Sequence, residues 1–267
     1  MLFFYSPLEQ FEIVPFYLPF GSSFFFDISL NNATLILGLL SIFVYLLHSY
    51  VSVDYTVTGS NLELKKKTFF IIPQNYQTIF ESVFKLILSM ISDNISSSEG
   101  RKFFPIVFSI FSYVLFLNLI GLIPYSFTLT SHIIVTFALA LFIFIAINII
   151  CIRLHGLEFF SLFLPGGTSF ILALLLVPIE VISFVFKPIS LSIRLFANMM
   201  AGHTLLKVIA GFAWTLSGCS GVLFLMHYVP LFILFPLFGL ELGVAFIQAF
   251  VFSILTCIYL NDAIDLH

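Results

Sequence analysis

Arg194 lies inside an apolar run extending from Thr168 to Phe212, in company with Glu180, Lys187, Asn198 and His203. A guanidinium at the centre of a membrane-spanning helix costs about 2.5 to 3.5 kcal/mol on insertion scales, so an ionisable residue at that depth is by default a functional one. At about 100° per residue, Lys187, Arg194 and Asn198 all stand within about 40° of Glu180. One stripe of the helix therefore carries a carboxylate, an ammonium, a guanidinium and an amide. His203 lies further along, on another face. A second apolar run, 221–260, carries Glu241 and Gln248 on one face with the small Ala245 between them, and the chain then continues through Asp262. Carboxylates and a histidine on two facing helices are the materials of a proton relay. Plainer readings remain open: Glu180 and Lys187 neutralising each other along a structural seam, His203 as a packing residue, and Glu241 as a lone buried carboxyl.

The elements that position these groups must be membrane helices. The chain of 267 residues is 61% hydrophobic and 9% charged, with a mean hydropathy of +1.17. Apolar runs of eighteen or more residues recur, and lipid admits only helices and closed barrels because every backbone polar group must be paired within the protein. The runs are continuous rather than alternating, which selects helices. A net charge of −3, with Lys65-Lys66-Lys67 as the compact basic cluster, offers no nucleic-acid footprint. Cys151, Cys219 and Cys257 have spacings that suit neither a disulfide framework nor a metal site and read as small buried hydrophobes. No cofactor motif is found. The N-terminus has neither the basic n-region of a signal peptide nor the arginines of a transit peptide.

The expected fold is all-α and polytopic, in a single membrane domain over 1–267. Residues 1–30 form an outer-side lead-in. Residues 31–50 form a first span with Asn31 or Asn32 as its N-cap. The segment 51–102 holds six of the ten Lys and Arg residues. Within it, 73–95 has apolar residues at helical spacing on one side, the pattern of an amphipathic helix at the interface. Residues 103–152 form a helical hairpin. The two runs within 168–260 are each long enough, at about 1.5 Å per residue, to cross the ~30 Å hydrocarbon layer twice or to cross once as a strongly tilted helix. Pro178, Pro188, Pro230 and Pro236 permit kinks, and Gly211 with Ser217–Gly221 separates the runs. A short tail, 261–267, follows. The basic residues of 51–102 and Arg153 place those segments inside. The N-terminus is then outside, the C-terminus inside, and about five crossings result.

The run Ser190-Leu-Ser-Ile-Arg-Leu-Phe-Ala-Asn-Met-Met-Ala-Gly-His203 closely resembles the signature of subunit a of the F-type ATP synthase. Glu180 before it, Glu241 with Gln248 after it, and the closing Tyr259-Leu-Asn-Asp262 match that family in kind and spacing. Bacterial members usually carry Gly at the position of Ala197, a carboxylate at that of His203 and a histidine at that of Glu241. The exchange seen here resembles the mitochondrial branch. The resemblance implies a long tilted hairpin for 168–260 packed against a rotating c-ring, with peripheral-stalk and other Fo subunits, lipid and protons as the remaining partners, in the mitochondrial inner membrane. It implies that Arg194 is a fixed charge separating two offset half-channels. His203, Glu241 and Gln248 would serve the outer half-channel, Glu180 and Asp262 the inner, and Asn198 would position groups near Arg194. It also implies no catalytic site of the chain's own. A secondary transporter or independent proton channel is the alternative, although the two halves of the chain show no convincing internal similarity.

Overall fold

The computed structural model describes residues 8–17, 30–52, 75–95, 98–123, 126–156, 159, 170–218 and 222–264. The lysine cluster at 65–67, Cys219 and the Pro165–Gly167 connector lie outside them. Among the described residues the helices are α1 (Asn32–Ser52), α2 (Asn75–Asn94), α3 (Phe104–Gly121), α4 (Ile133–His155), α5 (Phe170–Ser217), α6 (Val222–Met226) and α7 (Tyr228–Ile264). Among the described residues four stretches are long and apolar enough to cross a membrane, α3, α4, Leu174–Ser217 and Phe224–Ile264, and α1 adds a shorter apolar stretch, Asn32–Leu46. The chain is a polytopic all-α membrane protein. Its one departure is a two-stranded antiparallel ribbon of β1 (Pro15–Tyr17) and β2 (Leu30–Asn31) at the start of α1.

That start is tied down by side chains. Thr34 Oγ1 accepts the Asn31 backbone N–H at 2.9 Å. Asn32 Nδ2 donates to the Glu12 carbonyl at 3.1 Å, and Asn32 Oδ1 accepts the Val14 N–H at 3.3 Å. Asn32 Oδ1 also accepts the Ala33 N–H at 2.9 Å, so Asn32 serves both the first turn of its own helix and the preceding segment. α1 then packs on α3, where Phe43 and Phe116 stack with centroids 3.9 Å apart.

α2 spends its apolar face on protein. Ile87, Ile91 and the following Ile95 are buried in one cluster with Phe104, Phe108 and Phe111 of α3 and Phe252, Cys257 and Leu260 of α7. The opposite face carries Glu81 and Lys85, 4.0 Å apart and exposed. α3 opens with Pro105 in its first turn, where a missing N–H costs nothing. α4 ends with Arg153 and His155 in its last turn, the favourable end for cations. The His155 ring also reaches the Ile264 carbonyl at 3.0 Å, pinning the end of α7.

The two long runs do not break into separate spans. α5 is one helix of 48 residues that contains Pro178 and Pro188 and passes through Gly211 without interruption. Its length is about 72 Å, more than twice the hydrocarbon thickness. α7 is one helix of 37 residues with Pro236 inside it, while Pro230 falls in its first turn. A proline removes one ladder bond but leaves a helix continuous when neighbours hold both halves. α5 packs on α4, through Thr136 with Ser192 and Phe144 with Phe184, and on α7.

The α5–α7 pairing is antiparallel, because partner numbers fall as α5 numbers rise: Lys187 with Asp262, Asn198 with Gln248, His203 with Glu241. The paired substitutions Asn198→Cys and Gln248→Cys should therefore be bridged in membranes by a short bis-thiol reagent. Asn198→Cys with Leu255→Cys, displaced by about two turns, should not. Bridging of the second pair alone would refute the register.

Candidate functional site

The buried polar groups cluster where α3, α5 and α7 meet. Glu241 is 4% exposed and Gln248 3% exposed, both within an apolar stretch of α7. Glu241 fits only because α5 has no side chain at Gly202. A Cβ built there would stand 2.6 Å from Glu241 Oε1 and 3.0 Å from its Cδ. His203 Nε2 lies 3.8 Å from Glu241 Oε1, inside ion-pair range but beyond a direct hydrogen bond. A polar separation of that size invites a bridging water. Neither Glu241 oxygen, nor His203 Nε2, nor Gln248 Nε2 makes a hydrogen bond to the protein. Four unsatisfied polar atoms in an apolar interior are groups for which the chain itself supplies no hydrogen-bond partner, a feature that packing for stability does not explain.

Gln248 is fixed from its other end, its Oε1 accepting from Asn198 Nδ2 at 2.8 Å. Asn198 and Arg194 themselves are exposed on the surface of α5. Among the described residues Arg194 takes part in no ion pair. The chain thus presents a bare guanidinium at its apolar surface, with an amide one turn away that leads back to Gln248.

Towards the other end of the hairpin, Lys187 Nζ contacts Asp262 Oδ2 at 3.3 Å. This overturns the reading in which Lys187 neutralises Glu180. Glu180 is half-buried, about 10 Å further along α5 and in no ion pair among the described residues. Ala197 and Ala201 of α5 are exposed, whereas Gly202 lies against the Glu241 carboxyl. His227 takes no part in the cluster. It bonds the Phe224 carbonyl in the turn before α7, about four turns from Glu241.

Several polar residues of the site carry no sequence motif. Asn118 of α3 is fully buried, and its Nδ2 donates to the carbonyl of Ala245 at 3.3 Å, midway between Glu241 and Gln248. The small Ala245, 0% exposed, lets α3 come that close. Thr128 and Ser131, joined by a 2.7 Å hydroxyl bond, fold back over the end of α3. There a Cβ on Gly121 would lie 3.0 Å from Thr128 and 3.6 Å from His203 Nε2. Thr130 is also buried, its hydroxyl unpaired. An amide within the otherwise apolar 103–124 was the available signal for Asn118. The hydroxyls of 128–131 gave none, since Ser and Thr most often bond locally.

Helices of this length, carrying a buried glutamate beside a histidine and an exposed arginine, define a polytopic membrane protein with ionisable groups inside its spans. The family model of the ATP synthase A chain matches residues 42–261. ATP synthase subunit a of Pylaiella littoralis is 51% identical over 265 residues, 99% of this chain and 100% of that one. The corresponding protein of Chondrus crispus is 49% identical over 98% of this chain and 97% of its own length, and that of Pelagibacter ubique 44% identical over 98% of both. The chain belongs to the ATP synthase A chain family, the subunit a of ATP synthase. It is accordingly a proton-translocating component of the membrane sector, with no catalytic site of its own, and works with other Fo subunits such as the c-ring.

Gly202→Ala should leave the helix intact, since Ala is the better helix former by about 1 kcal/mol, yet displace the Glu241 carboxyl. Proton-driven ATP synthesis should fall while the amount of assembled complex stays near normal. The shorter side chain of Glu241→Asp, added to Gly202→Ala, should restore part of the rate. Full activity in the single variant would refute the crowding.

Proposed function

We propose that the chain is the stator of the ATP synthase membrane motor, with two half-channels that reach the carboxylates of the c-ring from opposite sides and are separated by Arg194. The observation that carries this reading is the bare, exposed guanidinium in a helix of membrane length. An arginine in lipid persists only with a partner, and Arg194 forms no ion pair with a carboxylate of the described residues. The partner is then a carboxylate of the ring. A guanidinium stays protonated at any accessible pH, so it favours the ionised ring carboxylate and cannot itself hand a proton across. A proton must travel with the ring to pass from one channel to the other.

The outer half-channel uses His203 and Glu241, with Gln248 and Asn198 leading from them to the surface beside Arg194. Support comes from the unpaired atoms of His203, Glu241 and Gln248 and from the 2.8 Å bond between Asn198 and Gln248. The inner half-channel uses Glu180 and Asp262. Each proton delivers about 2.3 kcal/mol per 100 mV, which drives the ring. We assign the chain to the mitochondrial inner membrane on its His203–Glu241 arrangement, with the N-terminus towards the intermembrane space, the C-terminus towards the matrix, and the peripheral stalk among its partners.

Arg194→Ala should abolish coupled ATP synthesis in the assembled enzyme and open a passive proton leak through the membrane sector. Normal proton-driven synthesis in that variant would overturn the mechanism. Glu241→Gln should slow synthesis by about 10-fold or more, the scale of a positioned proton-transfer group, with the loss seen when protons enter from the outer side. An unchanged rate across external pH would remove Glu241 from the outer path.

A further inference from the structure

The ammonium of Lys187 is held on several sides. Besides Asp262 Oδ2 at 3.3 Å, it lies 4.9 Å from the centroid of the Tyr259 ring on α7 and 5.7 Å from that of Phe184 on its own helix. Aromatic faces at these distances attract a cation. The pair borders a recess of about 30 Å³, room enough for a water, that is also lined by Asn148 and Cys151 of α4. One cation therefore joins α5 to α7 at the edge of a small, mostly apolar recess against α4 into which Asn148 brings a polar group, about two turns along α5 from Arg194.

We propose that Lys187 is a positioning residue of the inner path: it holds the Asp262 carboxylate across the α5–α7 seam, beside the Asn148 recess, and so fixes where that carboxylate can exchange a proton. The inference rests on the reading above that Asp262 belongs to the inner half-channel. A seam held only by apolar contacts would not fix a carboxylate that is 44% exposed. The lysine supplies the directional contact, and the two rings keep its flexible stem from swinging away. Met at this position keeps the apolar stem and removes the charge, whereas Arg keeps the charge.

The test uses the intact ATP synthase in vesicles with the Asp262 side facing the medium, measuring ATP-driven proton pumping per assembled complex. Lys187→Met should lower pumping by about 3- to 10-fold, the range of coupling for a contacting but partly exposed pair. Lys187→Arg should retain at least about half of the native rate. Asp262→Asn should be impaired as well, and Lys187→Met with Asp262→Asn should be no slower than the slower single variant, because one interaction is lost only once. A small water-soluble thiol reagent added from the same side should label the buried Cys151 faster in Lys187→Met and at the native rate in Lys187→Arg. A native pumping rate in Lys187→Met, or losses that multiply in the double variant, would overturn the positioning role. Native pumping in Asp262→Asn, with Arg194→Ala still uncoupled, would instead remove Asp262 from the inner path and the inference with it.

Discussion

The structure depends on one constraint: two helices of about 72 and 55 Å must run antiparallel through an apolar medium while carrying polar groups on their facing sides. Among the described residues three polar side-chain pairs cross that seam, and they differ in kind with burial. Lys187 and Asp262, at one end, are partly exposed and pair directly. Asn198 and Gln248, further along, share an amide hydrogen bond. Glu241 and His203 are the most enclosed, yet both Glu241 oxygens and His203 Nε2 remain unbonded to protein. If the seam served stability alone, the deepest pair would be the best satisfied, since an unsatisfied buried group costs about 1 to 3 kcal/mol. The order is reversed.

The rest of the fold keeps that unsatisfied pair in place. α3 reaches α7 through Asn118, and the contact is possible because Ala245 and Ala249 present almost no side chain. α2 and α4 complete the apolar cluster around Phe111, Leu195 and Phe252. Lipid tails are as apolar as leucine, so this cluster gains its stability from close packing more than from leaving water. Small residues at the crossings therefore matter as much as large ones in the core. Gly202 is the extreme case, where even a methyl group would displace the carboxyl.

Much of this was legible in the residues. Long apolar runs fixed the class, and the amphipathic spacing of 73–95 located α2 to within two residues at each end. The chemistry-bearing residues were visible because charge in an apolar run is costly and conspicuous. The pairing between helices was not visible. Glu180 and Lys187 share a stripe on a helical wheel, but they stand about 10 Å apart along the axis, beyond side-chain reach. Asp262 approaches only once α5 and α7 adopt their register, which depends on packing across the whole seam. The continuity of α5 was hidden for a similar reason. A proline announces a possible kink, and only its neighbours decide whether the helix bends or breaks. Asn118 and the hydroxyls of 128–131 were overlooked because their role follows from where α3 ends and not from any spacing along the chain.

Arg194 and Glu241 form a complementary pair of anomalies. The cation is exposed at an apolar surface and ion-paired to no anion of the described residues, while the carboxyl is enclosed with no donor bonded to it. A protein that merely tolerated both charges would bring them together, as it does with Lys187 and Asp262. Instead, the α5–α7 seam keeps them apart, and between them lie Gln248 and Asn198, two amides bonded to each other that can donate and accept but carry no charge. Uncharged amides at this position leave the guanidinium without a counter-charge from the seam. The guanidinium then stays available to a carboxylate supplied from outside the chain.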